Sequence, residues 1–109
     1  MTRIDALKSQ LGGPRDGALL RYSLGMALLD AGDTDGAVTQ LRAALDFDAG
    51  YSAAWNLLGK ACRDSGDTQA AADAWRQGIS AADTRGDVQA AKAMRVFLKR
   101  IEQQGRPPR

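Results

Sequence analysis

The feature that most constrains the fold of this chain is an internal repeat with a period of 34 residues. In that register the segment from Asp30 to Thr34 falls on the segment from Asp64 to Thr68, and Leu24-Gly25 falls on Leu58-Gly59. A period of this length is typical of chains built from stacked supersecondary units, each of which buries its apolar face only against its neighbours. The repeat therefore predicts a stack of similar units along most of the chain.

Each copy of the repeat is predicted to form two helices joined by a tight turn. Apolar side chains recur at helical spacing over residues 18–30 and 52–64, which predicts the first helix of each copy. Gly32-Asp33 and Gly66-Asp67 follow, and they suit a left-handed helix end and an N-cap. The second helices are predicted over residues 34–47 and 68–84. Since β-branched and aromatic residues are scarce, we predict an all-α fold with about six helices.

The same register extends to the N-terminal segment. Stepping back 34 residues from the apolar positions Val38, Leu41 and Leu45 lands on three other apolar residues, Ile4, Leu7 and Leu11. Thr2 and Asp5 have the spacing of a capping box. We therefore predict that residues 2–11 form a lone second helix, a half-repeat packed on the first full copy.

At the C-terminal end the strict period fails. It would bury Lys92 and Arg95, which is costly for unpaired charges. A further shift of two residues places Met94 where Leu24 and Leu58 lie. Residues 87–104 are thus predicted to form a displaced helix that caps the stack with a polar outer side. Residues 106–109 are predicted to be a disordered tail.

Some of the repeated residues resemble a known family. The second copy supplies Trp55, Leu58-Gly59, Cys62, Ala71, Trp75 and Gly78, and the first supplies Arg21, Leu24-Gly25, Leu28, Ala37, Leu41 and Ala44. This pattern resembles the tetratricopeptide repeat. The resemblance implies a single domain over residues 1–105, with repeats at 18–51 and 52–85, arranged as a right-handed stack of antiparallel helix hairpins.

The resemblance also implies a function and a set of site residues. The first helices of such a stack line a concave groove that binds a peptide or helix of a partner protein, in an adaptor or assembly role, and enzymatic activity is not implied. The groove positions fall on Leu19, Tyr22, Met26, Leu29, Asn56, Lys60, Arg63 and Lys92.

Those groove positions predict an apolar wall beside a basic one. Such a surface suits an acidic or carboxylate-bearing peptide with an apolar anchor, held by Tyr22 and Met26. The alternative is that these two side chains belong partly to the core, while the cations form a solvated face paired with Asp30 and Asp64. The Lys/Asn clamp with which some family members hold a C-terminal carboxylate is absent.

Composition excludes several other classes of function. With one cysteine and no histidine, the chain offers no internal disulfide, no zinc-type ligand set and no Cys-His or Ser-His pair. We therefore expect no enzyme activity, no metal and no cofactor. The N-terminus lacks the apolar region of a signal peptide and no run is long enough to span a bilayer, so we expect a cytoplasmic location and no membrane partner.

Two further modes of interaction remain open at the level of the sequence. A symmetric homodimer would cover an exposed groove or end helix, so the chain is expected to be a monomer or a weak homodimer. Nucleic-acid binding ranks lower, because the formal net charge is only +2, although Lys99, Arg100, Arg106 and Arg109 make the C-terminal end basic.

Overall fold

A computed structural model describes residues 2–104 of the chain. Within that range the protein consists of six α-helices and contains no strand: α1 (Arg3–Lys8), α2 (Ala18–Asp30), α3 (Thr34–Phe47), α4 (Ser52–Asp64), α5 (Thr68–Arg85) and α6 (Val88–Gln104). The all-α prediction is confirmed, and α2, α3 and α4 begin and end at the residues that the sequence pattern predicts.

The helices pack as two hairpins with one extra helix at each end. Helix α2 packs along α3, and α4 packs along α5, while α1 lies on α2 and α6 lies on α5. Neighbouring hairpins meet chiefly where α3 contacts α4. The result is an elongated stack that measures 52 × 30 × 18 Å. The repeat boundaries at 18–51 and 52–85, and the roles of α1 as a half-repeat and α6 as a cap, stay predictions.

The turn inside each hairpin follows from two residues. Gly32 and Gly66 adopt φ values of 85° and 87°, a left-handed conformation that strains residues with a Cβ atom. Asp33 and Asp67 then cap α3 and α5, since their carboxylates accept hydrogen bonds from backbone N–H groups three residues further on. These turns allow the paired helices to pack closely.

That close packing also requires glycine within the helices. A Cβ atom on Gly25 would lie 2.8 Å from Cγ of Leu41, and one on Gly59 would overlap the indole of Trp75. The side chains that fill these gaps, Leu41 and Trp75, are fully buried in the core. The glycine of each first helix thus receives the largest core residue of the second.

The displaced end helix has a simple origin. Helix α5 has 18 residues where α3 has 14, and its connection to α6 is two residues long where the α3–α4 connection has four. The extra turn of helix and the shorter connection together move α6 by two residues in register. Met94 accordingly takes the buried position of Leu58, while Lys92 and Arg95 remain exposed.

The N-terminal helix is shorter than predicted. The capping box between Thr2 and Asp5 is confirmed, but α1 ends at Lys8 and not at Leu11. From Gln10 onward the backbone makes turn-type hydrogen bonds to carbonyls three residues back, and Gly12 has a φ of 78°. Glycine and proline within residues 12–14 cannot sustain the helix, so the turn begins early. The predicted disordered tail, residues 106–109, lies outside the described residues.

Candidate binding groove on the concave face

Three helices lie side by side on one face of the stack. Helix α4 contacts α2 on one side and α6 on the other, whereas no Cα atoms of α3 and α5 lie within 8 Å of each other. Because the first helices touch and the second helices are splayed apart, the stack curves toward the face formed by α2, α4 and α6. The groove residues predicted from the sequence are distributed over these three helices.

A stack of aromatic and cationic side chains occupies the α4–α6 half of this face. The ring of Phe97, on α6, is parallel to the buried indole of Trp75, with centroids 5.4 Å apart. Above the same ring lie the Lys60 ammonium at 5.0 Å and the Arg63 guanidinium at 5.8 Å from the centroid. Each cation over an aromatic face gains about 0.5–1 kcal/mol at a site of this exposure. The core therefore fixes Phe97, and Phe97 orders both cations.

Asn56 is also tied to the core. Its side-chain oxygen accepts a hydrogen bond of 3.0 Å from the Trp75 indole nitrogen. This bond orients the side-chain amide of Asn56, since the oxygen is committed and the NH2 group is left to point away from Trp75. Asn56, Lys60 and Arg63 stand at positions i, i+4 and i+7 of α4 and form a row along one side of the helix.

The charge on this row is only partly balanced. Arg63 pairs with the neighbouring Asp64 at 3.1 Å. Within residues 2–104, Lys60 and Lys92 form no ion pair with any carboxylate, and Asp30 does not form the pair that one reading of the sequence expects. Lys92 is exposed on α6. The α4–α6 half of the face is consequently basic.

The α2 half of the face is apolar and more closely joined to the core. Tyr22 packs against Tyr51, whose ring centroid is 5.1 Å away, and both rings adjoin the core cluster. Leu29 also packs on the core and Met26 is half-buried, whereas Leu19 is 69% exposed. The predicted anchor residues thus combine partial burial with an accessible edge.

Two residues of the groove were missed as site residues by sequence reasoning. Phe97 was assigned to the apolar stripe of α6, and periodicity could not reveal that two cations would lie over its ring. Tyr51 lies outside the repeat pattern, since the equivalent position in the first copy is Gly17. Burial raises the pKa of the Tyr51 phenol. A solitary aromatic residue just before a groove helix was the only available signal.

The single cysteine of the chain is buried in the core. Cys62 is 3% exposed, and burial raises the pKa of its thiol, so the residue packs as a small apolar side chain. Residues 2–104 contain no group of three or more Cys, Asp or Glu side chains placed to hold a metal ion. None of the helices in that range has the length and apolar character needed to cross a membrane.

The sequence of this chain is similar to a known family and to a known protein. A profile of the tetratricopeptide repeat matches residues 28–94. The chain is 46% identical over 99 residues to the TPR repeat-containing protein PA0015 of Pseudomonas aeruginosa, and the match covers 91% of this chain and 94% of that protein.

Solved structures with the same fold come from bacteria and from a fungus. Protein BPP2914 of Bordetella parapertussis is 40% identical, with a TM-score of 0.82 over 95% of this chain and 90% of that one. A tetratricopeptide repeat domain protein of Salinibacter ruber is 22% identical, with a TM-score of 0.79 over 88% and 96% of the two chains. The Sgt2 TPR domain of Aspergillus fumigatus is 22% identical, with a TM-score of 0.72 over 97% and 72%.

Proposed function

This chain belongs to the tetratricopeptide repeat family, and from that premise we propose that it binds an acidic segment of a partner protein, with an apolar anchor, in its concave groove. Proteins with this fold generally mediate protein–protein interactions and are generally non-enzymatic scaffolds. The observation that carries the proposal is a row of hydrogen-bond donors on α4, formed by Asn56, Lys60 and Arg63. Trp75 holds Asn56 by a hydrogen bond, and Phe97, which stacks on Trp75, lies beneath both cations.

Ordering of the donors before binding favours a tight complex. A free lysine or arginine side chain loses about 0.5–1.5 kcal/mol of rotamer entropy when a partner immobilises it. Here the Phe97 ring already restricts Lys60 and Arg63, so part of that cost has been met in the folded protein. The backbone positions of Lys60 and Arg63 follow Asn56 by about 6 Å and about 10 Å along the helix axis. Carboxylates at similar spacing on a partner helix or strand would match them.

The apolar half of the groove supplies the second contact. Leu19 and Met26 lie one helical turn before and one turn after Tyr22 on α2. An apolar side chain of the partner that contacts Tyr22 could therefore also bury surface against them. At roughly 25 cal/mol per Å² of apolar area, a single leucine contributes about 1.5–3 kcal/mol. The cations would then set the orientation of the bound segment, with its acidic part over α4 and α6.

We would test this proposal by affinity capture from native lysate with the full chain and with a Lys60→Glu, Arg63→Glu variant. We expect the wild-type protein to recover a partner that the variant loses. Each charge-assisted hydrogen bond contributes about 1.5–3 kcal/mol, so titration with the recovered partner should show at least a 100-fold weaker affinity. Replacing the acidic residues of the bound segment by their amides should weaken binding to the wild type similarly.

The matched control is an Arg15→Glu, Arg42→Glu variant, which makes the same change in net charge away from the groove. Both of its residues are exposed, on the turn after α1 and on α3. Capture by the control should equal wild type, and circular dichroism should show that all three proteins are folded. Equal recovery of the partner by the groove variant would remove the concave face as the binding site.

A cytoplasmic location is part of the same proposal. It is supported by the single cysteine, since proteins of oxidising compartments commonly carry paired cysteines. Separation of the producing cells into soluble and membrane fractions, with the full chain detected by antibody, would test it. Recovery in the membrane or extracellular fraction would contradict it.

A further inference from the structure

Val96 is a large apolar side chain on α6 that is 48% exposed. Residues three and four positions away from a given residue are its neighbours on the surface of a helix. For Val96 these positions include three exposed cations, Lys92 before it and Lys99 and Arg100 after it. Val96 is therefore an apolar side chain bordered by positive charge on both sides along its helix.

The cations around Val96 differ from the neighbouring arginine on the flank of α6 that faces α5. Arg95 pairs with Asp83 of α5 at 2.6 Å. Within residues 2–104, Lys92, Lys99 and Arg100 form no ion pair with a carboxylate. Like charges on one helix repel one another, and anions of a bound partner would relieve that repulsion.

The repeat register relates Val96 to the cations of α4. Met94 takes in α6 the buried position that Leu58 has in α4, two residues beyond the period of 34. The same shift aligns Val96 with Lys60, the ammonium group of which lies over the Phe97 ring. Val96 thus continues the groove from α4 onto α6.

We infer that Val96 is a second apolar contact of the groove, so that the acidic partner segment carries two apolar residues. The first is the anchor on α2, and the second packs on Val96 while carboxylates beside it face Lys92, Lys99 and Arg100. This inference rests on the proposed function of the groove and adds a requirement on the sequence of the partner.

Charge complementarity decides the chemistry of this occupant. A basic segment would add to the repulsion among the cations around Val96. A wholly apolar segment would remove water from those cations without pairing them, which is costly. A segment that places an apolar residue on Val96 and acids beside it avoids both costs.

The fold also sets the spacing of the two apolar residues. The anchor contact lies on α2 and Val96 lies on α6, while α4 is between these helices and contacts both. Packed helices lie about 8–10 Å apart, so the two contacts are about 16–20 Å apart. Because an extended chain covers about 3.3–3.6 Å per residue, we expect at least about five positions between the two apolar residues. The acids that face Lys60 and Arg63 lie between them.

The test is a selection of displayed random peptides of about 14 residues, long enough to cross the three helices, on the purified full chain and on Val96→Ser. From the wild type we expect acidic peptides with two apolar residues at the spacing given above. From Val96→Ser we expect acidic peptides with one. Thermal melts of both proteins should coincide, because Val96 is exposed.

The contact itself is measured by changing both of its sides. For a peptide selected on the wild type, Val96→Ser should weaken binding about tenfold, as should serine in place of the second apolar residue of the peptide. The two changes together should weaken it little more than either alone, because they remove the same contact. Val88→Ser is the matched control, the same substitution at an exposed valine in the first turn of α6, and it should bind like the wild type.

Two results would overturn this inference and leave the proposed function intact. They are selection by the wild type of acidic peptides with a single apolar residue, and full additivity of the two serine substitutions. Failure of the proposed function gives a different result. The wild type would then select peptides without acidic residues, select none, or select the same peptides as Lys60→Glu, Arg63→Glu, and the inference about Val96 would fail with it.

Discussion

At the scale of single residues, the packing of α4 on α5 depends on Gly59. The Trp75 indole occupies the space where a Cβ atom at position 59 would stand, and its nitrogen donates to Asn56 three residues earlier on α4. The indole is fully buried, and the Phe97 ring stacks on it. A side chain at position 59 would displace a residue that links the core to the groove.

We predict that Gly59→Ala destabilises the protein by about 2 kcal/mol. Overpacking of a core costs about 1–3 kcal/mol, and we expect a value at the upper end because the indole is fully buried. The higher helix propensity of alanine offsets up to about 1 kcal/mol of this cost. Denaturant unfolding followed by circular dichroism would measure the change. Gly17→Ala is the control, because its φ of 168° is extended and no atom lies within 4 Å of the added Cβ. A stable Gly59→Ala variant would show that Trp75 can shift at little cost.

Asp16 and Arg21 form an ion pair before and within the first turn of α2. In the second repeat the position of Arg21 is occupied by Trp55. Asp16 accepts hydrogen bonds from Arg21 and from the Gly12 backbone, and these bonds lower its pKa from 3.8 to about 2. The side chain of Asp16 is only 10% exposed. The ion pair fixes the turn before α2 much as the Trp55 indole, bonded to the Ala49 carbonyl, fixes the turn before α4.

We predict that Arg21→Leu lowers the melting temperature at pH 7 and that the difference from wild type shrinks as the pH falls from about 4 to about 2. A carboxyl whose pKa is depressed in the folded state adds stability above its unfolded pKa, and loses it as the pH falls through the folded value. Thermal melts at several pH values, with Arg15→Leu as the control, would measure the effect. A difference that does not change with pH would mean that Arg21 acts by packing alone.

At the scale of elements, α6 is held by three buried residues and by half-buried ones that also pack on the core. Met94 is fully buried against Gly78, and Ala91 and Ile101 are also buried. Most of the remaining surface of the helix is exposed or half-buried. Gly78 has no side chain, so the sulfur of Met94 approaches the α5 backbone closely. Met94 is thus the largest buried side chain of α6, and the stack of Phe97 on Trp75 adds a second contact between the helix and the core.

We predict that Met94→Ala destabilises the protein by about 3 kcal/mol, the usual cost of emptying a fully buried methionine site. Val96→Ala, on the same helix at an exposed position, should change stability by less than about 0.5 kcal/mol. Urea unfolding of both variants would compare them under one set of conditions. If both variants had equal stability, α6 would have to be held by its half-buried residues.

At the scale of the whole molecule, the period of 34 residues predicts both hairpins, because the same turn residues and the same small residues recur in each. The two-residue displacement of α6 could also be predicted, since burial of Lys92 and Arg95 would be too costly. The early end of α1 could not, because the helical pattern of Ile4, Leu7 and Leu11 continues into turns where these residues still pack inward. Apolar spacing alone does not separate a helix from tight turns.

The candidate groove could be predicted only in part, because several of its contacts join helices of different repeats. Repeat register assigns Lys60 and Arg63 to the concave face, but their contact with Phe97 joins residues more than thirty positions apart across two helices. The paired Tyr22 and Tyr51 likewise meet between repeats. Such contacts depend on the angle between neighbouring hairpins, which the register does not contain.

Because Phe97 lies on α6, binding of a partner to Lys60 and Arg63 is coupled to local opening of that helix. Within residues 2–104, α6 packs only on α5 and α4, and a unit that is supported on one side opens locally before the rest of a stack. Whenever α6 detaches, Phe97 leaves with it, and Lys60 and Arg63 lose the ring that orders them. A ligand that needs these two cations in place would then bind more weakly, and by mass action its binding would hold the terminal helix closed. The end of the stack would therefore act as a reversible part of the binding site, and its amide hydrogens would exchange more slowly in the complex than in the free protein.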